Sequence, residues 1–91
     1  MPGNIQSIER AATILRLLSG RNRRLGVVDI AGEMGLSKGT VHGLLRTLQS
    51  VGFVEQDEDS GKYYTLTQKG LDFINQIKKA EAFVMGFGLA I

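Results

Sequence analysis

Apolar residues at helical spacing over most of the chain, a glycine-headed turn between two such runs, and one stretch of strand formers split by turn residues predict a mainly α-helical fold with a small β-hairpin. The 91 residues suit one small domain with a modest core. The absence of cysteine excludes a disulfide framework, a thiolate nucleophile and a thiolate metal site, and one histidine excludes a multi-histidine metal site within a single chain. No cofactor is expected. The opening MPGNIQSIER lacks a basic segment running into a long apolar stretch, so no secretion signal is read and a cytoplasmic location is expected.

Ser7 is a suitable cap for a first helix, IERAATILRLLS, in which Ile8, Ala11, Ala12 and Leu15, with Ile14 and Leu18 alongside, form a broad apolar stripe. GRNRRLG reads as a loop from its glycines and lack of periodicity. VVDIAGEMG is a short second helix presenting Val27, Ile30, Ala31 and Met34 inward, and Gly35 is suited to end it. Leu36 fills the gap between helices, and Ser37 caps a third helix over 38–50 whose core face is Val41, Leu44, Leu45 and Leu48. Helix, short glycine-headed turn, helix is the helix-turn-helix pattern.

Gly52 stops the third helix, and FVEQDEDSGKYYTL reads as a hairpin with Phe53, Val54, Tyr63, Tyr64 and Leu66 as strand formers around the polar DEDSG turn. Neighbouring residues of a strand face opposite ways, so one of Tyr63 and Tyr64 belongs in the core and the other at the surface. Thr67 caps a last helix, QKGLDFINQIKKAEAF, with Leu71, Ile74 and Ile77 on one side. The tail AFVMGFGLAI carries no charge and is too short to span a bilayer, so it is expected to make a dimer contact or to begin a further segment.

Charge is unevenly divided along the chain. Met1 to Val51 carries seven Lys and Arg against three Asp and Glu, whereas Gly52 onward carries four against six. A basic first half points to a polyanionic partner or to an ordinary solvated surface. The third helix sharpens the choice. Opposite its apolar stripe lie Gly39, Gly43, Arg46 and Ser50, with His42 on the flank. A glycine in a helix interior costs about 1 kcal/mol relative to alanine. A helix lying in the major groove brings its backbone near the base edges, where residues without side chains permit the approach and Arg46 and His42 supply hydrogen-bonding reach.

Together SIERAATILRLLS, VVDIAGEMGLSKGTVHGLLRTLQSVGFVEQD and SGKYYTL resemble the DNA-binding domain of the IclR family of bacterial transcription regulators, from about Ser7 to Leu66. LSKGTVHGLLRTL is the most specific part, and within the family it is most similar to the glycerol-operon regulators. The resemblance implies a winged helix-turn-helix that dimerises partly through its first helix, with SKGTVHGLLRTLQ as the recognition helix and EQDEDSGKYY as the wing. It also implies a linker helix and a larger effector-sensing domain, ahead of which this chain stops. After Leu66 the pattern departs: TQKGLDFINQIKK is more similar to the strand-to-helix passage of the MarR and PadR groups than to the usual IclR linker.

Residues 1–66 are thus expected to form a winged helix-turn-helix DNA-binding domain, and 67–91 a C-terminal helix and apolar tail serving as linker or dimer contact. The candidate DNA-binding residues are Ser37, Lys38, Gly39, Thr40, His42, Gly43, Arg46 and Lys62. Ser37 and Lys38, at the amino end of the third helix, suit a phosphate, though Ser37 suits capping equally. Thr40 is either a cap or a contact, and His42 either a contact or a rim residue. Arginine at position 46 suits phosphate and guanine edges alike. Arg21, Arg23 and Arg24 form a basic loop that either touches phosphate or is simply solvated, while Asp57, Glu58 and Asp59 in the hairpin turn repel phosphate. The expected function is a sequence-specific regulator binding double-stranded DNA at an inverted-repeat operator as a homodimer, with no membrane role. A protein-interaction module of the same fold is the alternative, favoured by the acidic wing. A catalytic reading lacks a nucleophile and base at plausible spacing.

Overall fold

A computed structural model describes residues 2–20 and 24–90, with side chains at 6–20 and 24–80. Helix α1 (Pro2–Ser19) is followed by a short strand β1 (Leu25–Gly26), helix α2 (Val27–Met34), helix α3 (Lys38–Ser50), strands β2 (Val54–Gln56) and β3 (Tyr63–Leu66), and helix α4 (Gln68–Ala90). The three strands form one antiparallel sheet in the order β1-β3-β2. Leu25 pairs with Tyr64 and Gly26 with Tyr63 on one edge, and Val54, Glu55 and Gln56 pair with Leu66, Thr65 and Tyr64 on the other.

One core holds these elements together. Ile14, Leu15 and Leu18 from α1 meet Ile30 and Ala31 from α2, Val41, Leu45 and Leu48 from α3, Val54 and Tyr64 from the sheet, and Ile74 from α4. Leu44, expected in the core face of α3, is half-buried against it. Tyr64 is buried and Tyr63 exposed, as the strand alternation requires. At the turn between α2 and α3, Gly35 has φ +66°, a left-handed conformation that glycine adopts without a Cβ penalty. That conformation lets the Gly35 and Leu36 N–H groups both donate to the Ala31 carbonyl.

Five sequence expectations are corrected. Helix α1 starts at Pro2, so Ser7 lies inside the helix rather than capping it; proline presets the helical φ at a first turn, where its missing N–H costs nothing. Ile8 is 70% exposed and stands outside the core stripe. Leu25 and Gly26 leave the expected loop to form the third strand, which exists through pairing to β3 and is too short to show alternation in sequence. Helix α4 runs through the expected apolar tail to Ala90, where the side chains from Glu81 onward lie outside the described residues. Its Ile74 is buried and Ile77 half-buried, but Leu71 is 38% exposed.

The exit of α3 and the start of α4 are tied to one short turn. The Thr67 N–H donates to the Phe53 carbonyl at 3.1 Å and its hydroxyl to the Gly52 carbonyl at 2.5 Å. That hydroxyl oxygen also accepts the Gly70 N–H at 3.0 Å, which caps α4. Lys69 Nζ donates to the Val51 carbonyl at 2.9 Å, placing a cation at the carbonyl end of α3, and lies 5.5 Å from the Phe53 ring centroid. Gly70 is buried, and a Cβ there would lie 2.9 Å from the Phe53 carbonyl carbon and closer still to its oxygen. Backbone cannot retreat as a side chain does. Gly70→Ala is therefore expected to destabilise the fold by about 2 kcal/mol or more, read as a lowered melting temperature in thermal denaturation.

Candidate nucleic-acid interface

The amino end of α3 is built by Ser37. Its hydroxyl oxygen accepts the Thr40 N–H at 3.2 Å while the hydroxyl donates to Thr40 Oγ1 at 2.9 Å. Ser37 thus does act as the cap, and Thr40 Oγ1 accepts the Ser37 hydroxyl hydrogen bond while Thr40 itself remains exposed. Burying Val41, Leu45 and Leu48 turns the opposite face of α3 outward. Lys38, Gly39, Thr40, His42, Gly43 and Arg46 are all exposed there.

A Cβ built on Gly39 or on Gly43 meets nothing within 4 Å. The fold itself therefore has no steric reason for glycine at either position, in contrast to Gly70. Along this face Thr47 Oγ1 donates to the Gly43 carbonyl at 3.1 Å and Ser50 Oγ to the Thr47 carbonyl at 2.6 Å.

The wing, β2 and β3 with the turn between them, lies beside α3. An open groove of about 480 Å³ lies between the wing and the start of α2, lined by Val28 and Asp29 of α2 and Gln56, Lys62 and Tyr63 of the wing, with His42 the one lining residue from α3. His42 and Lys62, far apart in sequence, thus share one concavity. Asp29 is held there because its carboxylate accepts the Gly26 N–H at 2.9 Å, at the positive end of α2. Val28, 64% exposed in the groove, is a lining residue that sequence reasoning missed. Its signal is its place on the flank of the inward Val27, Ile30, Ala31 and Met34 positions, as a β-branched residue with no core to join.

The basic loop and the acidic turn are linked. Arg24 is ion-paired with Asp57, and its guanidinium carbon lies 4.7 Å from the Tyr63 ring centroid. Asp57 thus faces a cation within the fold and is not the bare repulsive charge that its sequence neighbours suggest. Arg21 and Arg23 lie outside the described residues. The Asp57 carboxylate also accepts the Asp59 N–H at 3.1 Å and the Ser60 hydroxyl at 3.3 Å. The Asp59 N–H and the Arg24 guanidinium hold the Asp57 carboxyl below its ordinary value.

Among the described residues no group of three or more histidine and carboxylate side chains could hold a metal ion, no buried side-chain polar atom lacks a partner, and no helix is long and apolar enough to cross a membrane.

A helix presented bare-faced on a glycine-headed turn, with a two-stranded wing that a third short strand extends into a sheet, places the chain among the winged helix-turn-helix domains, the DNA-binding class used by transcription regulators. Residues 7–58 match the IclR helix-turn-helix domain, and the chain belongs to that family. Over 63 residues it is 67% identical to the glycerol operon regulatory protein of Streptomyces coelicolor, a match covering 69% of this chain and 25% of that protein. The chain spans about a quarter of the length of the curated relatives it matches in this way. Among solved structures it is similar to the Staphylococcus aureus transcription regulator MepR, with a TM-score of 0.78 and 19% identity over 89% of this chain and 62% of that one, a likeness of fold alone. It is also similar to the Zα domain of Carassius auratus PKZ, which was solved in complex with Z-DNA, with a TM-score of 0.63 and 26% identity over 68% of this chain and 98% of that one.

Two measurements test the site as built. Gly39→Ala and Gly43→Ala are each expected to stabilise the fold by about 1 kcal/mol, raising the melting temperature by about 4–8 °C apiece. In an acid titration followed by carboxyl NMR, Asp57 is expected to titrate below the free aspartate value of about 3.9. Because its folded-state value is the lower one, the stabilisation is present above the free value and is lost as pH falls through the lowered one.

Proposed function

We propose that this chain is the operator-reading part of a cytoplasmic transcription regulator that binds double-stranded DNA as a homodimer, each protomer placing α3 in the major groove at one half of an inverted repeat. The observation that carries this is the outward face of α3. Gly39 and Gly43 open onto empty space, so the backbone can come close to base edges, and Lys38, His42 and Arg46 stand around them. Membership of the IclR helix-turn-helix family and the DNA-bound state of the Zα neighbour support the same reading.

Roles divide by position. Ser37 is occupied in capping, so its contribution is to orient the first N–H groups and Lys38 toward a phosphate. Arg46, Thr40 and His42 read base edges, and Lys62 meets the sugar–phosphate backbone from the wing. The Arg24–Asp57 pair reduces the negative charge that the wing turns toward DNA, which removes part of the case for a protein-docking module. No residue is assigned a catalytic role, and no cofactor is needed. Residues 67–91 serve as linker or dimer contact beyond the reading unit.

Selection of bound duplexes from a random pool is the direct test. It is expected to enrich an inverted repeat with half-sites about 10 base pairs apart, and recovery of no sequence preference would overturn the reading. Arg46→Ala is expected to cost about 1–3 kcal/mol on the selected site and much less on random duplex, whereas Lys62→Ala should weaken both alike and flatten the log–log salt slope by about 0.9 for each phosphate it no longer neutralises. Gly43→Leu is expected to abolish operator binding in a protein that melts no lower than its parent, measured by titration alongside a thermal melt.

A further inference from the structure

Lys62 reaches DNA only if the wing tip is held in one place, and the tip is a short turn with little packed against it. Asp57, Glu58, Asp59, Ser60, Gly61 and Lys62 all stand at the surface or only partly covered. What orders this turn is the Asp57 residue. Its N–H donates to the Tyr63 carbonyl at 2.8 Å and its carbonyl accepts the Gly61 N–H at 2.8 Å, closing the turn through the backbone. Its carboxylate gathers the Asp59 N–H and the Ser60 hydroxyl. Ser60 Oγ in turn accepts the Lys62 N–H at 3.3 Å.

Arg24 ties that assembly to the rest of the domain. It stands immediately before β1, whose Gly26 pairs with Tyr63 at the other end of the turn. Its guanidinium binds the Asp57 carboxylate and lies against the Tyr63 ring, so it touches the residues on both sides of the turn. The Asp57 side chain is 16% exposed and that of Arg24 56%. An isolated exposed ion pair contributes little. Here the same carboxylate also organises the turn backbone, and the guanidinium also covers an aromatic face, so the interactions act as a connected set.

We propose that Arg24 is a positioning residue for DNA binding: it acts through Asp57 and Tyr63 to hold the wing so that Lys62 stays beside His42 in the groove, and it touches no phosphate of its own. The proposal rests on the DNA-reading function above. It makes a prediction that runs against simple electrostatics. Asp57→Asn removes a negative charge next to DNA, which on charge alone strengthens binding. If Arg24 holds the wing through Asp57, the same substitution weakens binding, although asparagine can still accept the Asp59 N–H.

The experiment measures duplex affinity against salt for the parent, Asp57→Asn, Arg24→Ala, Lys62→Ala and Arg24→Ala/Lys62→Ala, together with amide exchange in the free proteins. The expected result is that Asp57→Asn and Arg24→Ala each bind about tenfold more weakly, the scale of one phosphate interaction per protomer, with a flatter salt slope. Lys62→Ala should then cost little further in the Arg24→Ala background, because Lys62 no longer reaches its phosphate there. In the free proteins, exchange at Asp59, Gly61 and Lys62 should quicken in both single variants while the α3 amides keep their protection. Tighter or equal binding by Asp57→Asn, or full additivity of Arg24→Ala and Lys62→Ala, overturns the positioning role while leaving DNA reading intact. A parent that binds no duplex overturns the DNA reading and the role proposed for Arg24 in it; unchanged wing exchange in both variants overturns the hold on the wing itself.

Discussion

The Phe53 carbonyl is the point on which the rest of the molecule turns. It accepts the Thr67 N–H, and the first turn of α4 passes so close above it that position 70 has no room for a Cβ. This one approach sets the distance between the end of α3 and the start of α4, and with it the place where β2 leaves and β3 returns. Around it the Thr67 hydroxyl donates to the Gly52 carbonyl, Lys69 donates to the Val51 carbonyl just past α3, and the Phe53 and Phe73 rings stack at 4.6 Å between centroids. The base of the wing and the end of α3 both spring from this junction, while the wing tip is tied separately through Arg24. A groove shared by His42 and Lys62 is the downstream product of both ties.

Much of this arrangement is legible in the chain because it follows from local rules. Gly35, Ser37 and Thr67 each act as their sequence context predicts, since capping and chain reversal are decided within a few residues. The α3 core stripe and the split between Tyr63 and Tyr64 follow from periodicity alone. What is hidden depends on partners distant in sequence. Strand β1 is only two residues long and is defined by its register with Tyr63 and Tyr64. Arg24 looks like one of three loop arginines, and nothing near it in sequence announces Asp57. Ile8 fits the apolar spacing of α1 but stands exposed, because spacing says which residues share a face and not how far along the helix that face is covered.

The candidate interface carries a different kind of signal, a local rule broken without local cause, which Gly32 of α2 shares and which marks α3 only together with the exposed Lys38, His42 and Arg46. Glycine inside a helix raises the free energy of that helix, and at Gly39 and Gly43 the folded structure offers no crowding to account for it. Gly70 shows the contrasting case, where the cause is internal and plain. Sequence alone cannot separate the two, since both are glycines inside helices; only the surroundings of the absent side chain do. The same comparison marks the charges. Lys69 is committed to the fold through the Val51 carbonyl, while Lys38 and Arg46 stand on an open face.

That open space at positions 39 and 43 has an evolutionary consequence. A residue whose side chain would touch nothing else in its own molecule is released from the demands of packing, so among helix-compatible residues substitutions there are filtered mainly by what the helix meets outside. New side chains at these two sites can be sampled one at a time, each leaving the hydrophobic interior as it was. Preference for a different partner sequence can therefore drift or be selected within this scaffold without compensating changes elsewhere, and related domains can diverge in what they recognise while remaining superimposable.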